Sequence, residues 1–191
     1  MENKTYSATF RILHAAIGIS MLLLLFTIFL RMTWMNKNNM AGIIQHYLSS
    51  TDLKLDNNQL IVLAKQIRQP MWQWHIYLGY LLTGLFTIRF LLPFFGEMKF
   101  QSPFDKTLGL KEIFQYWVYI VFYIFVTVSL ITGLIIKFGP SEIKESVESI
   151  HVLSIYYLVT YIVLHFGGIF MAELTEYPGI ISKIVSGKPN I

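Results

Sequence analysis

The chain contains no cysteine, and that absence removes disulfides, iron–sulfur clusters, cysteine-ligated zinc and covalently attached c-type haem. Any metal must be held by histidine, methionine or carboxylate. Charge is scarce as well: Asp, Glu, Lys and Arg make up 14% of the 191 residues, against 54% hydrophobic ones. With a mean hydropathy of +0.54, this balance belongs to an integral membrane protein rather than a soluble domain. No run of basic residues accompanies the net charge of +4. No nucleic-acid partner is therefore expected, and membrane lipid with anionic headgroups takes its place. Internal repeats and low-complexity segments are missing too, and the length suits a single domain over residues 1–191.

What the chain does have is long apolar runs. Four are read as transmembrane helices, over residues 11–32, 71–95, 111–138 and 149–171, each about as long as a bilayer crossing requires. The first is expected to stay uncleaved. Its apolar run exceeds the about 7 to 15 residues of a signal core, and Arg31, Met32, Thr33 and Trp34 stand where a small-residue cleavage site would be needed. Pro70 suits the start of the second span, and Trp34, Trp72 and Trp74 suit an aromatic belt on one membrane face. The third span has no histidine and reads as a packing helix. A short loop with Glu142, Glu145 and Glu148 leads to the fourth, and the tail from Ala172 is polar again. Residues 33–70 are polar and carry two short amphipathic pieces, 42–48 and 58–68, read as surface helices on one membrane face, the second capped by Asp56 or Asn57. His46 within this loop reads as a solvated surface histidine. Both termini then fall on one side, and the fold class is all-α, an integral membrane four-helix bundle.

Inside these spans lie four histidines. An ionisable side chain in a bilayer helix is functional by default and calls for a partner. Residues 149–171 place His151 and His165 fourteen positions apart, so an unbroken helix would carry them within roughly 40° of one face and about 21 Å apart along its axis. His14 sits one turn into the first span and His75 near the beginning of the second, each followed four residues later by a glycine, Gly18 and Gly79. Small residues serve helix packing in membranes, and beside a histidine they also leave room for a flat macrocycle. Successive spans alternate direction, and this sorts the four by depth. His14 and His165 share a level near the face of the termini; His75 and His151 share the other.

Two neutral imidazoles from different helices at one level, twice over, suit bis-histidine ligation of two haems lying between helices. Zinc asks for further ligands, usually four in total. A proton relay usually includes intramembrane Asp or Glu, which these spans lack in their middles. Histidines that merely hydrogen-bond helices together would not need to fall into matched pairs. Arg11 or Arg89, both on the side of the termini, is expected to hold a propionate of the inner haem by a charge-assisted hydrogen bond, with interfacial snorkelling as the alternative.

Over nearly its whole length the chain resembles the prokaryotic cytochrome b561 family and its relatives, the b-type cytochrome subunits of nickel-iron hydrogenases and formate dehydrogenases. That family places one ligating histidine on its first helix, one on its second and two on its fourth, matched here by His14, His75, His151 and His165. The second span HIYLGYLLTGLFTIRFLLPFFG resembles the family's second helix through His75, Gly79 and Arg89, and the closing EYPGIISKIVSGK resembles the glycine-ended tail of the hydrogenase-type subunits. The connection between helices one and two is longer here than in the compact members. The resemblance implies two non-covalent b-type haems, an inner one on His14 and His165 and an outer one on His75 and His151. It also implies quinone as substrate and a bacterial inner-membrane location with cytoplasmic termini. The fifteen Lys and Arg divide eight and seven between the two faces and do not orient the chain. The other partner implied is a dehydrogenase or hydrogenase subunit, for which the chain could be the haem-bearing membrane anchor, or a small periplasmic electron carrier. A stand-alone superoxide oxidase delivering electrons to quinone is a further alternative. A donor is expected at the outer haem, under the 33–70 loop, and quinone at the inner one.

Overall fold

The computed structural model describes residues 7–100, 102–175 and 178–187; Glu176, Tyr177 and Lys188 of the closing stretch lie outside the described residues. Among these the chain is helical without strands: α1 (Ala8–Met32), α2 (Lys37–Leu48), α3 (Asn57–Ile67), α4 (Gln69–Leu91), α5 (Leu110–Phe138), α6 (Ser141–His151), α7 (Ser154–Leu174) and α8 (Ile180–Ser186). Four stretches are long and apolar enough to cross a membrane, Ala8–Met32, Gln69–Phe95, Leu110–Phe138 and Ser141–Leu174, so the expected all-α membrane class is the one the chain adopts. Helix is the state that pairs every backbone N–H and C=O within its own segment, as a lipid solvent demands. Side chains such as Ile12, Phe26, Ile124 and Val163 face outward from these helices, where lipid tails replace water. The chain divides into two compact units, Met1–Ile17 with Thr83–Ile191, and Gly18–Leu82.

In the Gly18–Leu82 unit, α2 and α3 pack on each other around Ala41, Leu60 and Ala64, flanked by Met40, Ile44, Leu48 and Ile61. The segment after the first span is thus a helical hairpin with its own small core. α2 begins at Lys37 rather than at residue 42 because the Asn36 side chain accepts the Asn38 N–H. Asp56, not Asn57, caps α3, in a reciprocal box with Gln59 whose two bonds are both 2.9 Å. Such caps contribute about 1 kcal/mol each.

In the other unit, α5 packs against α6 and α7, and α7 against α8. Here the expectation of one helix over residues 149–171 is corrected. The acidic stretch with Glu142, Glu145 and Glu148 is helical, forming α6, which ends at His151; Val152 and Leu153 separate it from α7. The separating residues have φ,ψ of −65°, −22° and −66°, −13°. The N–H of Leu153 donates to Ile150 C=O and that of Tyr156 to Leu153 C=O, both at 3.1 Å, the tighter three-residue spacing of a 3₁₀ turn. Two residues wound at about 120° instead of about 100° add about 40°. That equals in size the offset expected between His151 and His165 on an unbroken helix. The turn lies between two tethers to α5: His151 meets Thr132, and Ser154 meets Ser129. Residues three apart on one helix face residues three apart on its antiparallel neighbour.

Candidate haem site

α1 and α7 bring His14 and His165 together. Their ring centroids are 5.9 Å apart with the planes inclined at 47°, and both rings are half-buried. A metal–imidazole bond is about 2 Å, and the ring centre lies about 1 Å beyond the nitrogen, so one iron between two imidazoles needs centroids roughly 6 Å apart. The observed spacing fits that need. A haem iron asks the protein for two axial nitrogens only; among the described residues no group of three or more His, Asp or Glu gathers into a metal site. Aromatic rings hold both imidazoles in place. Phe10, one turn before His14, stacks on it at 5.7 Å and 7°. Tyr161, one turn before His165, stacks at 5.3 Å and 16°, and is itself stacked on Phe122 of α5 at 3.5 Å.

His75, in the Gly18–Leu82 unit, has a different setting. Trp72 stacks on it at 4.5 Å and 5°, with the Arg31 guanidinium over the indole at 4.3 Å. Trp72, expected in an interfacial belt, also braces a histidine. Thr27 of α1 lies 2.8 Å from His75 Nδ1, and its hydroxyl donates to Leu24 C=O at 2.6 Å. A threonine hydroxyl has one proton. With that proton on the carbonyl, the oxygen accepts from the ring, an arrangement that suits the Nδ1–H tautomer with the lone pair on Nε2.

His151, in the other unit, repeats this arrangement. Thr132 of α5 lies 3.0 Å from His151 Nδ1 and donates to Val128 C=O at 2.8 Å and Ser129 C=O at 3.0 Å. The same reasoning puts the proton on Nδ1 and the lone pair on Nε2. Gly133 leaves space for this ring: a Cβ there would stand 3.1 Å from His151 Cε1. At Gly18 and Gly79 an added Cβ would meet no heavy atom within 4 Å, so the volume beside these two glycines is open to a flat group. His46 is exposed on α2.

The two arginines differ. Arg89 is buried and bound within the protein: Nε donates to Tyr123 Oη and Nη1 to Met98 C=O, both at 3.0 Å, and Phe100 covers the guanidinium at 4.4 Å. Met98 has a φ of 49°, sparsely populated for a side-chain-bearing residue, and Arg89 holds that turn in place. Arg11 stands three residues before His14. Its Nη1 donates to Val185 C=O at 3.2 Å, while its Nε is buried without a hydrogen-bond partner. An orphaned guanidinium N–H beside His14 is the donor a haem propionate would take. The tail reaches it through α8, whose start is held by Glu173, accepting from Gly179 N at 2.8 Å and Ile181 N at 3.1 Å. Gly187 closes α8 with a φ of 76°, and a Cβ there would fall 2.7 Å from Arg11 Nη1.

Phe10, Thr27, Trp72, Thr132 and Tyr161 were not singled out as site residues from the sequence. Three left a signal, since an aromatic residue precedes each of His14, His75 and His165 by one turn. The threonines left none, because each reaches a histidine on another helix.

No curated protein and no solved structure matches the chain. The family model described as prokaryotic cytochrome b561 matches residues 5–187, taking in every histidine described above. With its four apolar helices and its paired imidazoles, the chain belongs to the prokaryotic cytochrome b561 family, membrane-embedded b-type cytochromes of electron transfer.

Proposed function

We propose that the chain is a dihaem cytochrome of the bacterial inner membrane, with cytoplasmic termini, carrying electrons from a donor at the face of the α2–α3 hairpin to quinone at the opposite end. The observation that supports this most directly is the 5.9 Å approach of His14 and His165, which suits the inner haem. The pairing of His75 with His151 at the outer haem rests on the alternating direction of successive spans, which assigns both histidines to the level opposite the termini. Each haem, when bound, supplies a one-electron iron couple. Phe10 and Tyr161 orient the inner imidazoles, and Trp72 orients His75. Arg11 neutralises a propionate of the inner haem, whereas Arg89 secures the turn at Met98. The apolar spans exclude water from both levels.

The test is a reduced-minus-oxidised optical spectrum with haem counting, on wild type and single-histidine variants purified from native membranes and returned to liposomes. Two haems per chain are expected. His165→Ala should lose the haem that His14→Ala loses, together with rapid reduction by a quinol analogue. If His165→Ala reacts with quinol at the wild-type rate and His151→Ala does not, the ends are reversed. A copurifying dehydrogenase subunit would identify the donor, and rapid reduction of the lone chain by superoxide would make superoxide that donor.

A further inference from the structure

We infer that Thr27 and Thr132 are positioning residues that set the reduction potential of the outer haem through the remote nitrogens of its two axial histidines. The inference rests on the proposed outer pair of His75 and His151. Its own basis is the hydrogen-bond geometry. In each case the threonine oxygen is within 3.0 Å of Nδ1, and in each case the hydroxyl proton goes to a backbone carbonyl one turn back, Leu24 C=O for Thr27 and Val128 or Ser129 C=O for Thr132. With its proton on the carbonyl, the threonine accepts and the ring donates.

Two effects follow. The tautomer is fixed, so the lone pair of Nε2 is the one offered to iron. The bonded Nδ1–H also makes the imidazole a more basic ligand, and a more basic ligand favours the ferric over the ferrous state. These two histidines would be treated alike, each with a threonine at Nδ1, whereas His14 and His165 are stacked on Phe10 and Tyr161.

The test uses the holoprotein with Thr27→Val and Thr132→Val, which keep the side-chain shape and remove the hydroxyl. Each should leave haem content unchanged and raise the midpoint potential of one haem by about tenfold in the ferrous-to-ferric ratio, about 59 mV for a one-electron couple. Thr27→Ser and Thr132→Ser, which restore an oxygen and its proton, should return the potential to the wild-type value. A threonine that serves only packing would reduce haem content or stability without moving the potential of the haem that remains. Because a valine variant could misassemble, pulsed EPR of the remote axial nitrogens in wild-type ferric protein gives a second reading. Strongly hydrogen-bonded Nδ1–H at one haem supports the inference, and couplings of unbonded imidazole at both haems overturn it. The two levels of the proposal fail separately. Both valine variants shifting the same haem supports positioning and pairing together. Shifts in two different haems keep the positioning role and overturn the pairing. Full haem content with unmoved potentials overturns the positioning role alone.

Discussion

The two proposed histidine pairs are built from different materials. Around His14 and His165 the neighbours are rings, Phe10 and Tyr161; around His75 and His151 they include hydroxyls, Thr27 and Thr132. A stacked ring fixes the plane of an imidazole and contributes about 0.5 to 1.5 kcal/mol, but it leaves the proton free to sit on either nitrogen. A hydroxyl whose own proton is committed fixes the proton as well, at about 0.6 to 2 kcal/mol inside a membrane. His75 has both kinds of neighbour, Trp72 and Thr27. Under the proposed assignment the difference has a direction. Threonine acceptors lower the outer potential, and the Arg11 charge beside His14 raises the inner one. Electrons delivered at the outer haem then run downhill to the inner haem, in the sense of a donor at the hairpin face and quinone at the other end.

The largest expected effect breaks the comparison outright. His75→Ala and His151→Ala should each remove the same haem, lowering pigment by about half while leaving the Phe10 and Tyr161 level unchanged; loss of two different haems would dissolve the outer pair. Next comes Arg11→Gln, read by redox titration. A unit charge roughly 10 Å from an iron, at an effective dielectric near 20, amounts to about 1.7 kcal/mol. The inner midpoint should therefore fall by about tenfold or more in the ferrous-to-ferric ratio, with the outer midpoint unmoved. Arg89→Gln should instead weaken the turn at Met98, to which Arg89 donates, and an inner midpoint that follows Arg89 rather than Arg11 would reverse the propionate assignment. Smaller again is Tyr161. Its hydroxyl is 3.5 Å from His165 Nδ1, at the edge of hydrogen-bond distance, whereas its ring is stacked on both His165 and Phe122. Tyr161→Phe should leave inner-haem thermal retention nearly unchanged, and Tyr161→Leu should lower it by about 1 kcal/mol; equal losses in the two variants would assign the work to the hydroxyl.

What the sequence made legible is what repeats at fixed spacing along one helix. The four spans were visible as apolar runs, the histidines as ionisable groups out of place within them, and the cap of α3 as Asp56 or Asn57 before an amphipathic stretch. Contacts between helices left no such trace. Thr27 precedes His75 by 48 residues and Thr132 precedes His151 by 19, and nothing local to either threonine points at an imidazole. The turn at Val152 and Leu153 was hidden for a related reason. Ile150, Val152, Leu153 and Ile155 carry the apolar run across it, and its tight winding is bracketed by side-chain bonds to α5 that only the folded chain makes. The contacts of Arg89 were equally hidden: a basic residue at the end of an apolar run, it is turned inward onto Tyr123 and Met98.

The smallest expected effect sharpens the comparison most, because it moves a ring without removing any polar group. Gly133 on α5 stands beside His151, and a Cβ there would lie 3.1 Å from His151 Cε1, close enough that the ring must yield by a few tenths of an ångström. Alanine is a better helix former than glycine by about 1 kcal/mol, so Gly133→Ala should leave thermal stability near the wild-type value or slightly above it. The displaced imidazole, however, loses alignment with Thr132, whose oxygen lies 3.0 Å from Nδ1. The outer haem should therefore show an altered low-spin EPR signal and a midpoint shifted upward by less than the Thr132→Val shift, with the inner signal unchanged. An outer signal identical to wild type would mean that the His151 hydrogen bond tolerates the displacement and that Thr132 does not set the ring. A change confined to the inner haem would place His151 at the wrong level, and with it the contrast between a level ordered by rings and a level ordered by hydroxyls.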